Sequence, residues 1–261
     1  MAKPKQLLSD EQIKRFVPSI SIDCVVFGYL NKKLHVLLIK YKDTEAWTLP
    51  GGFLEHDAEM DETATNVVSL RTGIDDVYLN QFYTFSSLNR HWKHKEQDWK
   101  CLQTLIAKLP EADQKPFEEL VTQRYISTAY FALIDATKVN PKPDMYGQLC
   151  SWIPVTEVPE MVLDHNKIVE KALIKLRKRI NYLPIGKTLM PEKFTMSDFQ
   201  ILYEAILGKS LDRGNFQRKI MNLGFLIRNE KLMTGAQHKA PYLYSINHEV
   251  YDKMVLEGVG F

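Results

Sequence analysis

One short stretch limits the architecture of this chain more than any other. Trp47, Thr48, Leu49, Pro50, Gly51, Gly52 and Phe53 run into acidic Glu55, Glu59, Asp61 and Glu62. A periodic segment follows and stops at Gly73. Met60, Ala64, Val67 and Val68 fall at i, i+4, i+7 and i+8, which puts four apolar side chains on one helix face. The acids suit the positive end of the helix dipole, and Gly73 suits the left-handed residue that closes a helix. A strand, a glycine turn and a half-buried helix are therefore expected in sequence, as in a layered α/β domain.

The same frame resembles the Nudix box, the pyrophosphohydrolase signature G-x5-E-x7-R-E-U-x-E-E-x-G-U, with U aliphatic. Counting from Gly52, the scaffold positions Val68, Gly73 and Ile74 agree. The chemical positions do not: Ala58 and Asn66 replace Glu and Arg, and Val67, Leu70 and Arg71 replace the three helix glutamates. Magnesium needs hard oxygen ligands in near-octahedral order, and it is the metal that polarises the pyrophosphate. Val67 and Leu70 offer no oxygen, and Arg71 repels a cation. The remaining acids lie at or near the helix start, where stabilising its N-terminus is their plainer role. No catalytic residue, metal or cofactor is therefore expected.

Strand character precedes the box, in residues 19–28 and 34–41, with Asn31, Lys32 and Lys33 as a turn. It returns at 77–79, 81–85 and 128–134. A second helix is expected from N-cap Asp164 to Ile180, with Ile168, Ala172, Leu176 and Ile180 on one face. Together these match a Nudix α/β/α sandwich over residues 1–182. Between 91 and 123 lies an insertion. Trp99, Leu102, Leu105 and Ile106 can share a helix face, Pro110 and Pro116 are expected to break the run, and Phe117, Leu120 and Val121 suggest a second short helix. It reads either as a surface insertion with its own apolar patch or as a lid or dimer element. His91 and His94 have no Cys or carboxylate partner in view and are not read as ligands.

Residues 183–193 carry two prolines and a glycine and are read as a linker. In 194–261, Thr195 and Asp198 form a capping-box pattern. Phe199, Leu202, Tyr203 and Ile206 give one apolar stripe, closed by Gly208. Asp212 caps a following helix that buries Phe216, Ile220 and Leu223. Its other faces show Arg213, Asn215, Gln217, Arg218, Lys219 and Asn222, three cations and no acid. Two apolar runs then bracket a loop carrying Lys231, His238 and Lys239. Helix, turn, basic helix and basic hairpin in that order describe a winged helix-turn-helix, whose second helix enters the major groove. Arg suits guanine, and Asn or Gln suits adenine. These nine side chains are the DNA-binding candidates.

Net charge is only +2 over 261 residues, so any basic surface is local. Cys24, Cys101 and Cys150 are scattered in no metal-type spacing and read as reduced thiols. No apolar run approaches the roughly 20 residues of a membrane span, and the polar N-terminus lacks a signal-peptide core. A cytoplasmic protein without membrane contact is expected.

Taken together the two halves resemble the Nudix-related (NrtR-like) transcriptional regulators. The likeness rests on residues 23–28, 36–40, 47–53, 83–85, 129–133 and 164–165, and most strongly on Pro191–Lys209 with Asn215–Ile220. It implies a homodimeric repressor or activator that binds an operator in double-stranded DNA. It also implies a small effector, ADP-ribose-like or a pentose, held in the old substrate cleft without hydrolysis. Candidate effector contacts are Trp47, Gly51, Gly52, Arg90 and Arg124. An arginine in a cleft suits phosphate or carboxylate, while Arg90 and Arg124 flank the insertion, where surface ion pairing is the other reading. Two alternatives stand beside this one: a Nudix pyrophosphatase using the displaced carboxylates, and a scaffold that binds protein through its C-terminal domain.

Overall fold

The computed structural model describes residues 16–75, 77–180, 188–233 and 240–257. Expectations that fall on 183–187, His238 and Lys239 lie outside the described residues. The chain divides into two compact units. One holds residues up to Phe27 with 36–132 and 139–172; the other holds 28–35, 133–138 and 173–261.

The strands of the large sheet are β1 (Phe16–Leu30), β2 (Lys33–Tyr41), β3 (Trp47–Thr48), β4 (Gly51–Glu55), β5 (Tyr78–Phe85), β6 (Ile126–Ile134) and β7 (Gly147–Pro154). Their order is β3-β2-β1-β6-β5, with β4 also pairing β1 and β7 also pairing β2. Asn31 and Lys32 join β1 to β2 with φ of 48° and 62°, the two left-handed residues that a tight hairpin turn requires. Cys24 to Phe27 in β1, Leu34 to Ile39 in β2 and Ser127 to Ile134 in β6 are buried without alternation. A strand buried at every residue has both faces covered, so the sheet is the middle layer of a sandwich. The helices α1 (Met60–Thr72) and α4 (His165–Arg179) bury Ala64, Val67 and Val68, and Ile168, Ala172 and Leu176. Gly73, at φ 73°, closes α1 by donating to Ser69 O.

The insertion folds into α2 (Glu96–Ile106) and α3 (Glu111–Val121). Leu102, Leu105, Ile106, Phe117 and Val121 form one buried cluster with Trp92 and Val162, and Tyr41, Phe53 and Tyr146 pack against it. Pro116 does not break the run as the sequence suggested; it lies inside α3. Pro110 takes the N-cap position and accepts from Asp113 N–H. At the sixth helical position Pro116 forfeits one intrahelical bond, and the buried faces of Phe117, Leu120 and Val121 hold the helix past it. The two strand runs expected at 77–79 and 81–85 are one continuous strand, β5.

In the second unit β8 (Phe194–Thr195), β9 (Leu226–Lys231) and β10 (Tyr242–Ile246) form a sheet in the order β8-β10-β9. The helices are α5 (Met196–Leu207), α6 (Arg213–Asn222) and α7 (His248–Glu257). Aromatic rings make the core: Phe199 lies 5.1 Å from both Phe194 and Tyr203 and 6.2 Å from Phe216. Phe225 lies 5.0 Å from Tyr251 of α7. Thr195 and Asp198 form the full reciprocal capping box, and Gly208 closes α5 at φ 70°. Arg177 Nε donates to Ile206 O at 2.8 Å, satisfying a carbonyl of the last turn of α5.

Thr195→Ala removes the acceptor for Asp198 N–H and the Asp198 carboxylate's hydroxyl partner. The expected loss is about 1 kcal/mol, read as a lower melting temperature of the winged-helix transition in calorimetry; an unchanged transition would show that the cap contributes nothing.

Candidate functional site: a cavity over a buried ion network, and a polar helix face

The cavity floor is built on Asp23. This β1 carboxylate is buried opposite Gly51 in the β1–β4 ladder. A side chain at position 51 has no room, because a Cβ there would lie 2.8 Å from Ile22 O and 2.9 Å from Asp23 Oδ1. Asp23 Oδ2 accepts from Ser127 Oγ at 2.6 Å and from Arg90 Nη2 at 2.5 Å. Arg90 is 2% exposed and also pairs with Asp164. His165 Nε2 lies 3.7 Å from Asp23 Oδ1. Its Nδ1 accepts from Leu49 N–H at 3.1 Å, so the ring proton of the neutral form sits on Nε2. One network thus pins β1, β4, β6, the start of α4 and the segment before the insertion. Removing Arg90 would leave two carboxylates uncompensated, a loss of about 3–5 kcal/mol for a buried pair.

Burial works to raise the Asp23 carboxyl, but Arg90, His165 and Ser127 outweigh it and hold it below the usual carboxylate range. Burial pushes His165 below an ordinary imidazole, with Asp23 opposing and Arg90 reinforcing the shift.

Above this floor opens a cavity of about 820 Å³. Gly51, Gly52 and Arg90, three of the candidate effector contacts, line it. Leu102, Leu105, Phe117 and Val121 of the insertion form one wall. Tyr146 stacks on Phe117 at 5.5 Å and 26°. Trp47 and Arg124 are not in the lining. Trp47 is half-buried in β3, paired to Lys40 and bridged to Met161. Arg124 is exposed and donates to Ser86 O at 2.7 Å. The sequence reading did not name Asp23, Tyr41, Phe117 or Tyr146 as site residues; they are distant in the chain and meet only in the fold.

Of the altered box positions, 70 and 71 line this space. Val67 is buried, where a Cβ at Gly52 would meet it at 3.2 Å. Leu70 and Arg71 both line the cavity, Leu70 at 68% exposure. Arg71 Nη2 bonds Asp144 Oδ2 at 3.2 Å, and its Nε–H is buried without an acceptor, as are Arg90 Nε and the Tyr146 hydroxyl. A buried donor left unmade costs about 1–3 kcal/mol. Of the acids at the helix start, Asp61 accepts from Tyr130 OH at 2.5 Å. Among the described residues no group of three or more His, Cys, Asp or Glu side chains is placed to hold a metal. An aliphatic and cationic set at 67, 70 and 71 does not fit the hard-oxygen shell of magnesium.

The second candidate site is α6. Asp212 caps it by accepting from Asn215 N–H at 2.8 Å. Phe216 and Ile220 are buried, while Arg213, Asn215, Gln217, Arg218, Lys219 and Asn222 are all exposed. Arg218 donates to Asn215 Oδ1 at 2.7 Å. Lys231 is exposed at the end of β9, 5.4 Å from the Tyr242 ring centroid. Arg228, which the sequence reading passed over, lies over the same ring at 3.4 Å. Strand β9 thus presents two cations beside the helix-turn-helix, in addition to any on the loop.

The lowered pKa of His165 has a consequence for stability. The unfolded chain takes up a proton near 6.5, before the folded chain does, so stability falls as pH drops below about 6.5. Urea unfolding between about pH 5 and pH 8 should show a steeper acid-side loss for the wild type than for His165→Gln. Parallel curves would remove His165 as the cause.

Comparison with known proteins agrees with both halves. Residues 186–246 match the model of the NrtR DNA-binding winged helix domain. The ADPR-responsive transcriptional repressor NtrR of Acinetobacter baylyi is 26% identical over 242 residues, 90% of this chain and 84% of that protein. The crystal structure of Shewanella oneidensis NrtR superimposes with a TM-score of 0.63 at 21% identity, covering 87% of this chain and 94% of that one. A MutT/nudix family protein of Enterococcus faecalis gives 0.59 at 17% identity, over 88% and 86%. The chain is thus similar to these proteins: residues 186–246 match the NrtR winged helix domain, and the whole shares the fold of the Shewanella and Enterococcus structures, with a degenerate Nudix box.

Proposed function

We propose that this protein is a ligand-responsive transcriptional regulator, a homodimer acting in the cytoplasm, whose α6 reads an operator and whose Nudix-like unit binds an effector without hydrolysing it. The observation that carries the reading is α6: six exposed Arg, Lys, Asn and Gln side chains above two buried apolar ones. A helix with that split docks by its apolar side and leaves a hydrogen-bonding face of the types that recognise base edges. The similar Acinetobacter protein is a repressor responsive to ADP-ribose, and ADP-ribose is the first effector to test; a pentose is the second. No helix of the described residues is long and apolar enough to cross a membrane.

The test is a binding assay on promoter DNA at defined salt, because phosphate contacts make affinity salt-dependent. Replacing Arg213, Gln217 or Arg218 by Ala should cost about 1–3 kcal/mol and relax preference at one base position. Replacing Lys231 by Ala should weaken all sequences alike and lower the salt slope by about one. Footprints should show two half-sites related by two-fold symmetry and spaced by about one helical turn or a multiple. If the three α6 changes leave affinity and preference untouched in folded protein, α6 is not the reading element, and the scaffold reading gains.

The pyrophosphatase alternative predicts turnover with magnesium or manganese. The altered positions Val67, Leu70 and Arg71 lead us to expect none for ADP-ribose. A rate on the order of 1 s⁻¹ or more that disappears in Glu55→Gln or Glu59→Gln would establish hydrolysis instead.

A further inference from the structure

A second concavity, of about 450 Å³, lies wholly within the second unit and shares no lining residue with the cavity over Asp23. It sits where the end of α4, the end of α5 and one flank of α6 meet. Its floor is apolar: Ile180 and Phe216 are buried, and Leu207 and Leu211 are half-buried. Its rim carries three cations, Arg177, Lys209 and Lys219. Arg177 is fixed in place, because its Nε donates to Ile206 O at 2.8 Å. Gly208 leaves room for the guanidinium; a Cβ there would lie 2.9 Å from Arg177 Nη2. The wall formed by the turn is fixed as well. Gln200 Nε2 donates to Leu211 O at 2.9 Å, and Glu204 Oε1 accepts from Leu211 N–H at 2.8 Å. The one acid in the lining, Asp212, is committed to capping α6 through Asn215 N–H. Lys209 and Lys219 are exposed and have no ion-pair partner among the described residues.

Three cations against one acid leave the rim positive. A merely solvated basic face needs no apolar floor, and a phosphate of DNA would sit on the rim without filling the space beneath. A concavity of this size, apolar inside with a few charged groups at its mouth, is of the kind that takes small molecules. The charge selects an anion, the planar guanidinium suits a carboxylate, and the floor selects an apolar body. We propose that this concavity binds a small carboxylate with an apolar body, held by Arg177, Lys209 and Lys219, and that its occupancy weakens operator binding. The second half rests on the regulator reading above. Lys219 and Asn215 belong both to this lining and to the exposed face of α6, so a bound carboxylate neutralises a cation that the operator would otherwise use. Such a ligand acts on the reading helix directly, independently of any effector in the Nudix-like unit.

Titration of the full chain with 2-naphthoate, followed by calorimetry without DNA, tests the site, with 2-naphthalenemethanol as the uncharged control. The expected result is saturable binding of naphthoate and binding of the alcohol weaker by about tenfold or more, the worth of a charge-assisted hydrogen bond. Arg177→Gln and Lys209→Ala should each weaken naphthoate binding. Lys209 is exposed, so Lys209→Ala decides the matter should Arg177→Gln disturb the fold. Saturating naphthoate should lower wild-type operator affinity by about threefold or more at fixed salt, the effect of losing one phosphate contact. The proposal is overturned by absence of saturable naphthoate binding, by equal binding of the alcohol, or by wild-type affinity in both variants. It is overturned too if naphthoate occupancy leaves operator affinity unchanged. A lower salt slope of operator binding in Lys209→Ala, without naphthoate binding by the wild type, would assign these cations to DNA phosphates instead. Naphthoate binding by a wild type that binds no operator would establish the site and strike the regulator reading, so the two failures are told apart.

Discussion

The first unit depends on a buried carboxylate that cannot stand alone. Asp23 sits in the middle of a strand between buried Ile22 and Cys24, and it is tolerable there only because Arg90, Ser127 and His165 surround it. Each partner comes from a different part of the chain. Arg90 reaches from just before the insertion, Ser127 from β6, and His165 from the first turn of α4. A charge in the interior must be paired and hydrogen-bonded, so this requirement ties the edges of the cavity together. Replacing the network with apolar groups of equal volume need not weaken the fold, since buried ion pairs add little net stability. Its value lies in register: it holds Gly51, the His165 ring and the insertion in one arrangement.

The insertion then decides what kind of cavity results. The Nudix frame supplies a cleft beside the glycine turn and the box helix. Helices α2 and α3 turn that cleft into a walled space, because their apolar faces pack with Trp92 and Val162 and bring Phe117 beside Tyr146. The box helix keeps its structural residues, with Val68 buried and Gly73 capping. Its metal-binding positions are now an aliphatic core residue, an exposed leucine and a braced arginine.

In the second unit the ordering principle is aromatic packing. Phe194, Phe199, Tyr203, Phe216 and Phe225 form a compact core in a small domain, and rings bury more area per residue than any other side chain. That core fixes α6 by Phe216 and Ile220 alone and leaves the rest of its circumference in solvent. A short helix held by two residues has its polar face free for recognition without cost to folding.

Much of this was legible in the sequence. Helix periodicity located α1, α4, α5 and α6, and local capping chemistry fixed their ends at Gly73, Gly208 and Asp212, because caps depend only on residues within a turn. The exposed face of α6 followed from the same period. What the sequence could not supply was whatever depends on residues far apart in the chain. Arg90 read as either a cleft arginine or a surface ion pair; it is buried, because only the fold brings Asp23 and Asp164 to it. Trp47 and Arg124 were candidates by proximity to the motif and the insertion, yet the chain path turns them to other neighbours. Pro116 looked like a helix breaker by local rules, but tertiary burial of α3 outweighed one lost hydrogen bond. Helix α7 and the pairing of Phe117 with Tyr146 had no sequence signal strong enough to announce them. Local hydrogen bonding and periodicity are written within a few residues and can be read directly. A cavity is a juxtaposition of distant segments, and burial, charge pairing and ring contacts settle it only when the chain has folded.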